Sequence, residues 1–196
     1  MKNYIYRNAE FLVGAHNRSQ FPSDQGREVA FAGRSNSGKS SVINVITGRR
    51  ALARVSKSPG RTQQINFFTV TADVRLVDLP GYGYANVPEK LRQHWGGLMR
   101  AYIAGRKSLK GLILVTDIRR QLTAYDEQML AWSAEQDLPV HILLNKSDKL
   151  SAGAARRTLA AVSQIIDPHL ASIQLFSVLK RSGLDEACQW LDKWLV

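Results

Sequence analysis

The chain has 196 residues, 44% hydrophobic and 22% charged, a composition and length that fit one globular domain and are too short for two. No apolar run approaches the ~20 residues of a membrane helix, the N-terminus lacks a signal-peptide core, and the single Cys188 excludes an internal disulfide. We therefore expect a cytoplasmic monomer without a membrane partner, whose net charge of +11 reflects either solubility or a polyanionic partner.

Apolar strands and amphipathic helices alternate along most of the chain after residue 27. Residues 1–27 have only a weak pattern and are interpreted as a lead-in, and 28–196 as a single domain. The predicted strands are Val29–Ala32, Ile65–Val70, Val74–Val77, Leu112–Thr116, Val140–Leu144 and Ile173–Phe176. The predicted helices are Ser40–Thr47, Glu89–Ile103, Tyr125–Gln136, Ala154–Ile166 and Leu184–Trp194.

This order predicts an α/β fold with a mostly parallel six-stranded sheet and helices on both faces. Only three residues separate the strands 65–70 and 74–77, which suits a hairpin. One strand should therefore run antiparallel at the edge of the sheet. In open α/β sheets ligands bind at the carboxyl ends of the strands, where the motifs below all lie.

The segment from Gly33 to Ser40 matches the P-loop pattern G-x-x-x-x-G-K-[ST], follows an apolar strand and opens a helix. Its glycines let the backbone close around phosphate oxygens, and amides at the helix N-terminus point toward the anion. Lys39 is expected to contact the β- and γ-phosphates, and the Ser40 hydroxyl to ligate Mg²⁺. A glycine-rich turn without a ligand is the alternative. The predicted phosphate contacts are Gly33, Arg34, Ser35, Asn36, Ser37, Gly38, Lys39 and Ser40.

A second phosphate-side motif, D-x-x-G, begins at Asp78 at the end of a strand. Its carboxylate can hold the water shell of Mg²⁺, and the Gly81 amide can donate to the γ-phosphate. Upstream, Thr62 can supply another hydroxyl to Mg²⁺, or it simply starts a strand. Lys39, Thr62 and Gly81 are therefore the predicted catalytic residues. The predicted nucleotide contacts here are Gly60, Arg61, Thr62, Gln63, Gln64, Asp78, Leu79, Pro80 and Gly81.

The N-K-x-D motif at 145–148 follows another strand and predicts recognition of guanine. Asp148 can accept two hydrogen bonds from the N1 and N2 donors of guanine, which adenine lacks. Asn145 would tie this loop to the P-loop, and the stem of Lys146 would lie along the base. After the last strand, a backbone amide could meet the guanine carbonyl, although a plain turn explains that segment nearly as well. The predicted base contacts are Asn145, Lys146, Ser147, Asp148, Ser177, Val178 and Leu179.

Taken together, these motifs resemble those of the EngB family of bacterial ribosome-biogenesis GTPases, among the translation-factor-related G domains. The resemblance covers nearly the whole chain from Glu28 and is strongest at 33–41, 58–68, 77–85 and 176–183. It implies a P-loop NTPase G domain that binds GTP or GDP and hydrolyses GTP to GDP and phosphate. It also implies binding to the large ribosomal subunit or its precursor, through rRNA and protein, and a role in cell division and septation.

Two departures concern the base-binding end. N-K-S-D stands at 145–148 where T-K-A-D is more typical of the family, and both motifs satisfy the guanine chemistry. Val178 occupies a position where a small residue is common in the family.

Two residues bear on the rate of hydrolysis. Tyr82 stands where many GTPases carry the glutamine that orients the attacking water, so we expect slow intrinsic turnover unless Arg61 or the ribosome supplies that group. Relatives with an asparagine at the position of Asn36 include GTPases that use a bound K⁺, so the resemblance implies a K⁺ site. The alternative is that Asn36 only satisfies amides of its own loop.

Other functions remain to be weighed. An RNA- or ribosome-binding module could use GTP only as a structural ligand, and Tyr82 supports that alternative. A P-loop kinase or ATPase is disfavoured by Asn145 and Asp148. Asp117 ends a strand near the site, and a structural or surface role is favoured there. Four cations are not explained by nucleotide binding and could face nucleic acid: Arg49, Arg50, Arg54 and Lys57.

Overall fold

The computed structural model describes residues 5–53, 64–83, 89–120 and 122–196. Seven strands form one sheet: β1 Glu10–Ala15, β2 Arg27–Gly33, β3 Ile65–Thr69, β4 Val74–Asp78, β5 Leu109–Asp117, β6 Val140–Asn145 and β7 Ala171–Leu175. The five α-helices of these residues are α1 Lys39–Thr47, α2 Glu89–Gly105, α3 Ala124–Ala134, α4 Ala152–Ile165 and α5 Leu184–Leu195. None of these helices is long and apolar enough to cross a membrane.

The strands lie in the order β1-β3-β4-β2-β5-β6-β7, and β2, β4, β5, β6 and β7 pair in parallel. β3 is antiparallel to both of its neighbours. The α/β class with a mostly parallel sheet is thus confirmed. The predicted count of six strands was wrong, and the antiparallel strand does not lie at the edge, because β1 covers it.

β1 lies within the stretch interpreted as a lead-in. Its first three residues are exposed and it slips register between Phe11 and Val13, so it lacks the alternation by which a half-buried strand is recognised. The segment before it also packs on the domain, since the buried Tyr6 donates a hydrogen bond to Asp192 of α5 at 2.6 Å. Residues 5–15 are therefore part of the sheet and its core.

The core has two layers, one on each face of the sheet. One face packs against α2, α3 and α4, with Trp95, Leu98 and Met129 among its buried side chains. The other face packs against α1 and α5, whose Cys188 is fully buried. β5 and β6 are buried on both sides, which is why their sequences are nearly continuous apolar runs.

A buried ion cluster lies at the amino ends of the parallel strands. Glu28 of β2 is fully buried and accepts hydrogen bonds from Arg75 Nε at 2.7 Å, Arg106 Nη2 at 2.6 Å and Tyr102 Oη at 2.8 Å. Arg75 and Arg106 also donate to backbone carbonyls near residue 23. Although burial opposes ionisation, these donors hold the pKa of Glu28 below its ordinary value. The cluster joins β2, β4 and α2 into one unit.

Candidate nucleotide-binding site

The predicted site residues of the described regions gather at the carboxyl ends of the parallel strands. β2 ends at Gly33, β4 at Asp78, β5 at Asp117 and β6 at Asn145, and Ser177 follows shortly after β7. Because these strands run in the same direction, their ends meet along one edge of the sheet. The amino ends of the same strands carry the Glu28 cluster, so the predicted nucleotide-binding residues and the buried ion cluster lie at opposite ends of the strands.

The P-loop joins β2 to α1, and its backbone conformation at Gly38 leaves no room for a side chain. Gly38, the N-cap of α1, has a φ of 96°, and a Cβ there would overlap the amide nitrogen of Asn145. Asn36 also has a positive φ of 65° and is exposed. The amides at the start of α1 therefore face a concave loop, the arrangement that binds phosphate oxygens.

Lys39, the first residue of α1, forms a buried ion pair with Asp78 at the end of β4. Their side chains are 8% and 2% exposed. Ser40 follows Lys39, and its half-buried hydroxyl and the Asp78 carboxylate are hard oxygen donors of the kind that Mg²⁺ prefers. One carboxylate and one hydroxyl suit a magnesium ion that takes its other ligands from phosphates and water, so these residues fit the ion.

A backbone bridge joins the P-loop to the residue that follows Gly81. The Ser35 N–H donates to the carbonyl of Tyr82 at 2.8 Å, and Arg34 and Tyr82 form an isolated parallel bridge. Arg34 also lies against Gly83, where a Cβ would meet its side chain at 3.0 Å. Displacement of the P-loop therefore acts directly on the segment 81–83.

The Tyr82 side chain is buried rather than turned toward the phosphate end. Its hydroxyl donates to Asp126 Oδ1 at 2.6 Å, and burial followed by the Asp126 charge raises the pKa of Tyr82 well above its ordinary value. Asp126 Oδ2 in turn accepts from the Thr123 N–H and hydroxyl at 2.9 and 2.7 Å, which caps α3. The residue after Gly81 is thus fastened to the first turn of α3.

The base-side loop is tied to the P-loop by two side chains. Asn145 Nδ2 donates to the Ser37 carbonyl at 2.8 Å, and Lys146 Nζ donates to the Asn36 carbonyl at 2.7 Å. Lys146 also pairs with Asp117 Oδ2 at 2.9 Å. Hydrogen bonds from Arg119, and then from Lys146, lower the pKa of Asp117 strongly. Asp117 therefore stays ionised and anchors the lysine that bridges to the P-loop.

Asp148 is held at the base end by the loop that follows β7. Its side chain is 6% exposed, and the Ser177 hydroxyl donates to Oδ1 at 2.5 Å. That hydrogen bond lowers the pKa of Asp148, so the carboxylate remains an acceptor at neutral pH. The Ser147 N–H donates to the Phe176 carbonyl at 3.1 Å, which joins the two loops. Val178 packs against the core, whereas Leu179 is 76% exposed.

Two buried polar atoms of this edge lack a hydrogen-bond partner within the described part of the chain. They are the Ser37 hydroxyl and Asn145 Oδ1, and both residues are at least 97% buried. Buried polar atoms in native proteins are almost always satisfied. Their presence beside a glycine-lined loop therefore indicates that this edge is completed by a ligand.

Part of the predicted site lies outside the described residues, namely Gly60, Arg61, Thr62 and Gln63, together with Arg54 and Lys57. Gln64 is described, and its contacts are with the β-sheet: its amide donates to Asn66 at 2.9 Å and its side chain lies against Gly14 of β1. Leu79 is buried in the core below the site. Sequence reasoning missed the roles of Asp117 as the anchor of Lys146 and of Asp126 as the partner of Tyr82.

The model of a protein family described as 50S ribosome-binding GTPases matches residues 28–146. A protein of Coxiella burnetii called probable GTP-binding protein EngB is 50% identical over 191 residues, covering 96% of this chain and 93% of that protein. The protein of the same description from Nitrosococcus oceani is 51% identical over 196 residues, covering 98% of each chain.

Solved structures agree on the fold. A crystal structure of a probable GTP-binding protein engB superposes with a TM-score of 0.70 at 20% identity, covering 86% of this chain and 98% of that one. Era in complex with MgGDPNP and a segment of 16S ribosomal RNA superposes with a TM-score of 0.68 at 21% identity, covering 88% of this chain and 57% of that one. At these identities the likeness establishes the fold alone.

Proposed function

The chain belongs to the EngB family of GTP-binding proteins, and on that premise we propose that it is a slow GTPase switch that acts on the large ribosomal subunit during its assembly. The observation that carries the proposal is the meeting of three motifs at one edge of the sheet. Lys39 pairs with Asp78 there, and Asn145 ties the loop of Asp148 to the P-loop. Phosphate, magnesium and base recognition are thereby coupled.

In this proposal each group has one task. Lys39 contacts the β- and γ-phosphates, exchanging its Asp78 partner for the more highly charged phosphates. Ser40, Thr62 and, through water, Asp78 hold Mg²⁺, which neutralises charge developing on the phosphate oxygens. The Gly81 amide donates to the γ-phosphate. Asp148 recognises the N1 and N2 donors of guanine.

Slow hydrolysis follows from the position of Tyr82. Its hydroxyl is committed to Asp126, so it cannot orient an attacking water. We expect intrinsic turnover far below the roughly 5–20 s⁻¹ of an activated GTPase. The measurement is single-turnover GTP hydrolysis by the isolated protein, and fast turnover would contradict the proposal.

A monovalent cation is one way to supply the missing charge stabilisation. Asn36 is exposed at the rim of the P-loop, and its carbonyl is bonded by Lys146. A K⁺ ion held by the Asn36 side chain would offset charge developing between the β- and γ-phosphates. Turnover should then be faster in KCl than in matched NaCl, and the difference should disappear in Asn36→Ala. Equal wild-type rates in the two salts would remove K⁺ from the proposal.

The family description and the net charge of +11 support the large ribosomal subunit, or its precursor, as the partner. Arg49 and Arg50 are exposed after α1, and with Arg54 and Lys57 they form a basic stretch of sequence. Replacing these four residues with alanine should weaken subunit binding and flatten its salt dependence while GDP affinity stays near wild type. Unchanged subunit binding would assign the stretch to solubility. A requirement for cell division and septation would follow from the loss of assembled subunits.

The buried Tyr82 also favours a second candidate, a ribosome-binding module in which GTP is mainly a structural ligand. One experiment separates the two functions, namely the affinity for purified large subunits with GTP, GDP or no nucleotide. A switch should bind subunits more tightly with GTP than with GDP, and subunits should accelerate its hydrolysis. Equal affinity with both nucleotides and no acceleration would favour the module.

A further inference from the structure

A groove of about 520 Å³ lies between α2 and α3, beside the segment that follows the D-x-x-G motif. Four aromatic side chains contribute to its lining: Tyr82, Trp95, Tyr125 and Trp132. Its size falls within the range of sites that hold small planar ligands. Two of its lining residues lie in the segment of the D-x-x-G motif: Gly81, whose amide is proposed to contact the γ-phosphate, and Tyr82. The rest of the groove takes no part in the proposed GTPase reaction.

The groove has a polar feature that is not satisfied by the protein. Trp95 is 96% buried, and within the described residues its indole N–H has no hydrogen-bond partner. A buried indole N–H normally donates to an acceptor, so an occupant with a carbonyl or ring-nitrogen acceptor would complete it. The exposed amide side chain of Gln128 also lines the groove and can donate or accept.

The charge around the groove favours an occupant without positive charge. Among its described lining residues there is no carboxylate, and Arg100 is the charged member. Arg100 is paired with Glu135 at 3.5 Å, but both side chains are more than half exposed. The chain as a whole carries a net charge of +11. An anionic partner, such as a nucleic acid, is compatible with the overall charge of the chain.

We propose that the groove binds one unstacked base of single-stranded RNA, an inference that rests on the proposed function by taking that RNA from the large subunit. Single-stranded RNA is recognised by stacking splayed bases on aromatic rings and by hydrogen bonds to their edges. The Trp95 indole supplies a hydrogen-bond donor, Gln128 supplies an amide, and the aromatic rings supply faces for stacking. An acidic peptide would match the charge but would leave the aromatic faces without a stacking partner.

The floor of the groove leaves room for a base to enter. Gly96 and Gly97 on α2 also line it, and a Cβ built on either would meet nothing within 4 Å. Two adjacent glycines lower the helix propensity of α2. The absence of side chains at these two positions leaves the backbone of α2 open to the close approach of a planar ring.

The central experiment fills the groove without cutting into the core. Gly96→Leu should fold, because its Cβ has space and leucine is a better helix former than glycine. Gly153→Leu on α4 is the matched control, since its Cβ would meet only Arg157 at an ordinary 3.6 Å. GTP affinity should be unchanged in both variants. Loss of one stacked base should weaken binding of Gly96→Leu to large subunits by roughly 5- to 150-fold, while Gly153→Leu binds like wild type.

The identity of the occupant is determined by ultraviolet cross-linking of the GTP-bound protein to large subunits, followed by mass spectrometry. A nucleotide attached to residues 93–100 or 125–132, and lost in Gly96→Leu, supports the inference. A cross-link from these residues to a ribosomal-protein peptide would overturn it. Equal subunit affinity of Gly96→Leu and wild type would also overturn it while leaving the proposed function intact.

A second measurement does not depend on the subunit. Decamers of oligo(U) and oligo(A) RNA are titrated at low salt while tryptophan fluorescence is recorded. Quenching that is absent in Trp95→Phe and in Gly96→Leu, but present in Gly153→Leu, supports the groove even if wild type fails to bind subunits and the proposed function fails. Quenching that is identical in all four proteins, or absent in all four, would overturn the inference.

Discussion

The amino and carboxyl ends of the parallel strands contain similar buried polar residues but differ in how these residues are hydrogen-bonded. At the amino ends, the Glu28 carboxylate accepts hydrogen bonds from Arg75, Arg106 and Tyr102, so each charged group of that cluster has a partner. At the carboxyl ends, Asn145 Oδ1 and the Ser37 hydroxyl are buried without partners in the described residues. The charged cluster of the first end is satisfied by protein groups, whereas the loops of the second end are open to the groups that a nucleotide would bring.

The comparison shows that a buried ion pair does not by itself distinguish a structural cluster from a binding site. Both ends contain a buried carboxylate next to a buried cation, Glu28 with Arg75 and Asp78 with Lys39. Near Glu28 the Ser108 hydroxyl is buried without a partner in the described residues, whereas at the carboxyl end two such atoms lie in the loops that carry the nucleotide-binding motifs. Substitutions at the amino end should therefore change stability alone, and those at the carboxyl end should change binding.

The largest expected effect is at the amino end. Glu28→Ala leaves two buried guanidinium groups without a counter-charge and should lower the free energy of unfolding by about 3–5 kcal/mol, as measured by urea denaturation. Glu135→Ala is the control, because its pair with Arg100 is exposed and should contribute less than about 1 kcal/mol. GTP affinity of the folded protein should be unchanged. A loss of stability equal to that of the control would refute the structural role of the cluster.

A second complete cluster predicts acid sensitivity. His141 is buried on β6, with its ring nitrogens bonded to Ser172 at 2.7 Å and Gln174 at 2.8 Å and its ring stacked on Trp190. Burial lowers the pKa of His141 to about 4, although the Gln174 hydrogen bond opposes this. The unfolded chain takes up that proton near pH 6.5. Stability is therefore fully present above pH 6.5 and falls by about 3 kcal/mol as the pH drops to 4.

The measurement is urea denaturation between pH 7.5 and 4. His141→Gln should remove this component of the slope, whereas His169→Gln, at an exposed position, should retain it. An unchanged slope in His141→Gln would mean that other groups account for the acid sensitivity. Because both ring nitrogens of His141 are bonded within the protein, neither variant should alter GTP affinity at pH 7.5.

At the carboxyl end, Asp148→Asn should act on binding. The substitution turns an acceptor into a donor facing the guanine N1 and N2 groups, so GTP affinity should fall by about 10²-fold or more and xanthosine nucleotides should be favoured. Titration calorimetry with GTP and XTP checks this, and Asp137→Asn on an exposed loop is the control. GTP binding like that of wild type would remove Asp148 from base recognition.

The smallest effect is expected at Tyr82, which follows the D-x-x-G motif but has its hydroxyl bonded to Asp126. Tyr82→Phe removes the hydrogen bond to Asp126 and should cost about 2 kcal/mol of unfolding free energy. Since the folded pKa is raised, the unfolded chain releases its proton first and wild-type stability falls above about pH 10. That fall should be shallower in the variant. Intrinsic GTP turnover should not change, and a large drop in turnover would give Tyr82 a catalytic role.

Much of the sheet could be predicted from the sequence because strands buried on both faces appear as continuous apolar runs. β5 and β6 were predicted within a few residues on this basis. β1 could not be predicted, because an edge strand with Phe11 and Leu12 57% and 47% exposed has no strong periodicity. Its pairing with β3 depends on an edge that only the folded sheet creates.

The candidate site divides in the same way. The P-loop, D-x-x-G and N-K-x-D motifs are local, so their spacing is visible in one sequence. The Tyr82–Asp126 hydrogen bond joins residues 44 apart, and the Lys146–Asp117 pair joins residues of common types. Such pairs carry no local pattern. They could be found only once the strands had brought their ends together.

The anchoring of α2 at the amino end has a mechanical consequence. Tyr102, near the last turn of this 17-residue helix, is fully buried and bonded to Glu28. At 1.5 Å of rise per residue, the first turn lies about 20 Å from that fixed point, so a rotation of about 10° would move it by about 3 Å. A helix held at its C-terminal end in the buried Glu28 cluster would move most at its N-terminal end. This movement can be measured as the distance between one label at residue 90 and another on α4, compared between the GDP-bound protein and the protein bound to a GTP analogue. Tyr102→Phe, which removes the hydrogen bond to Glu28, should broaden the distribution of that distance.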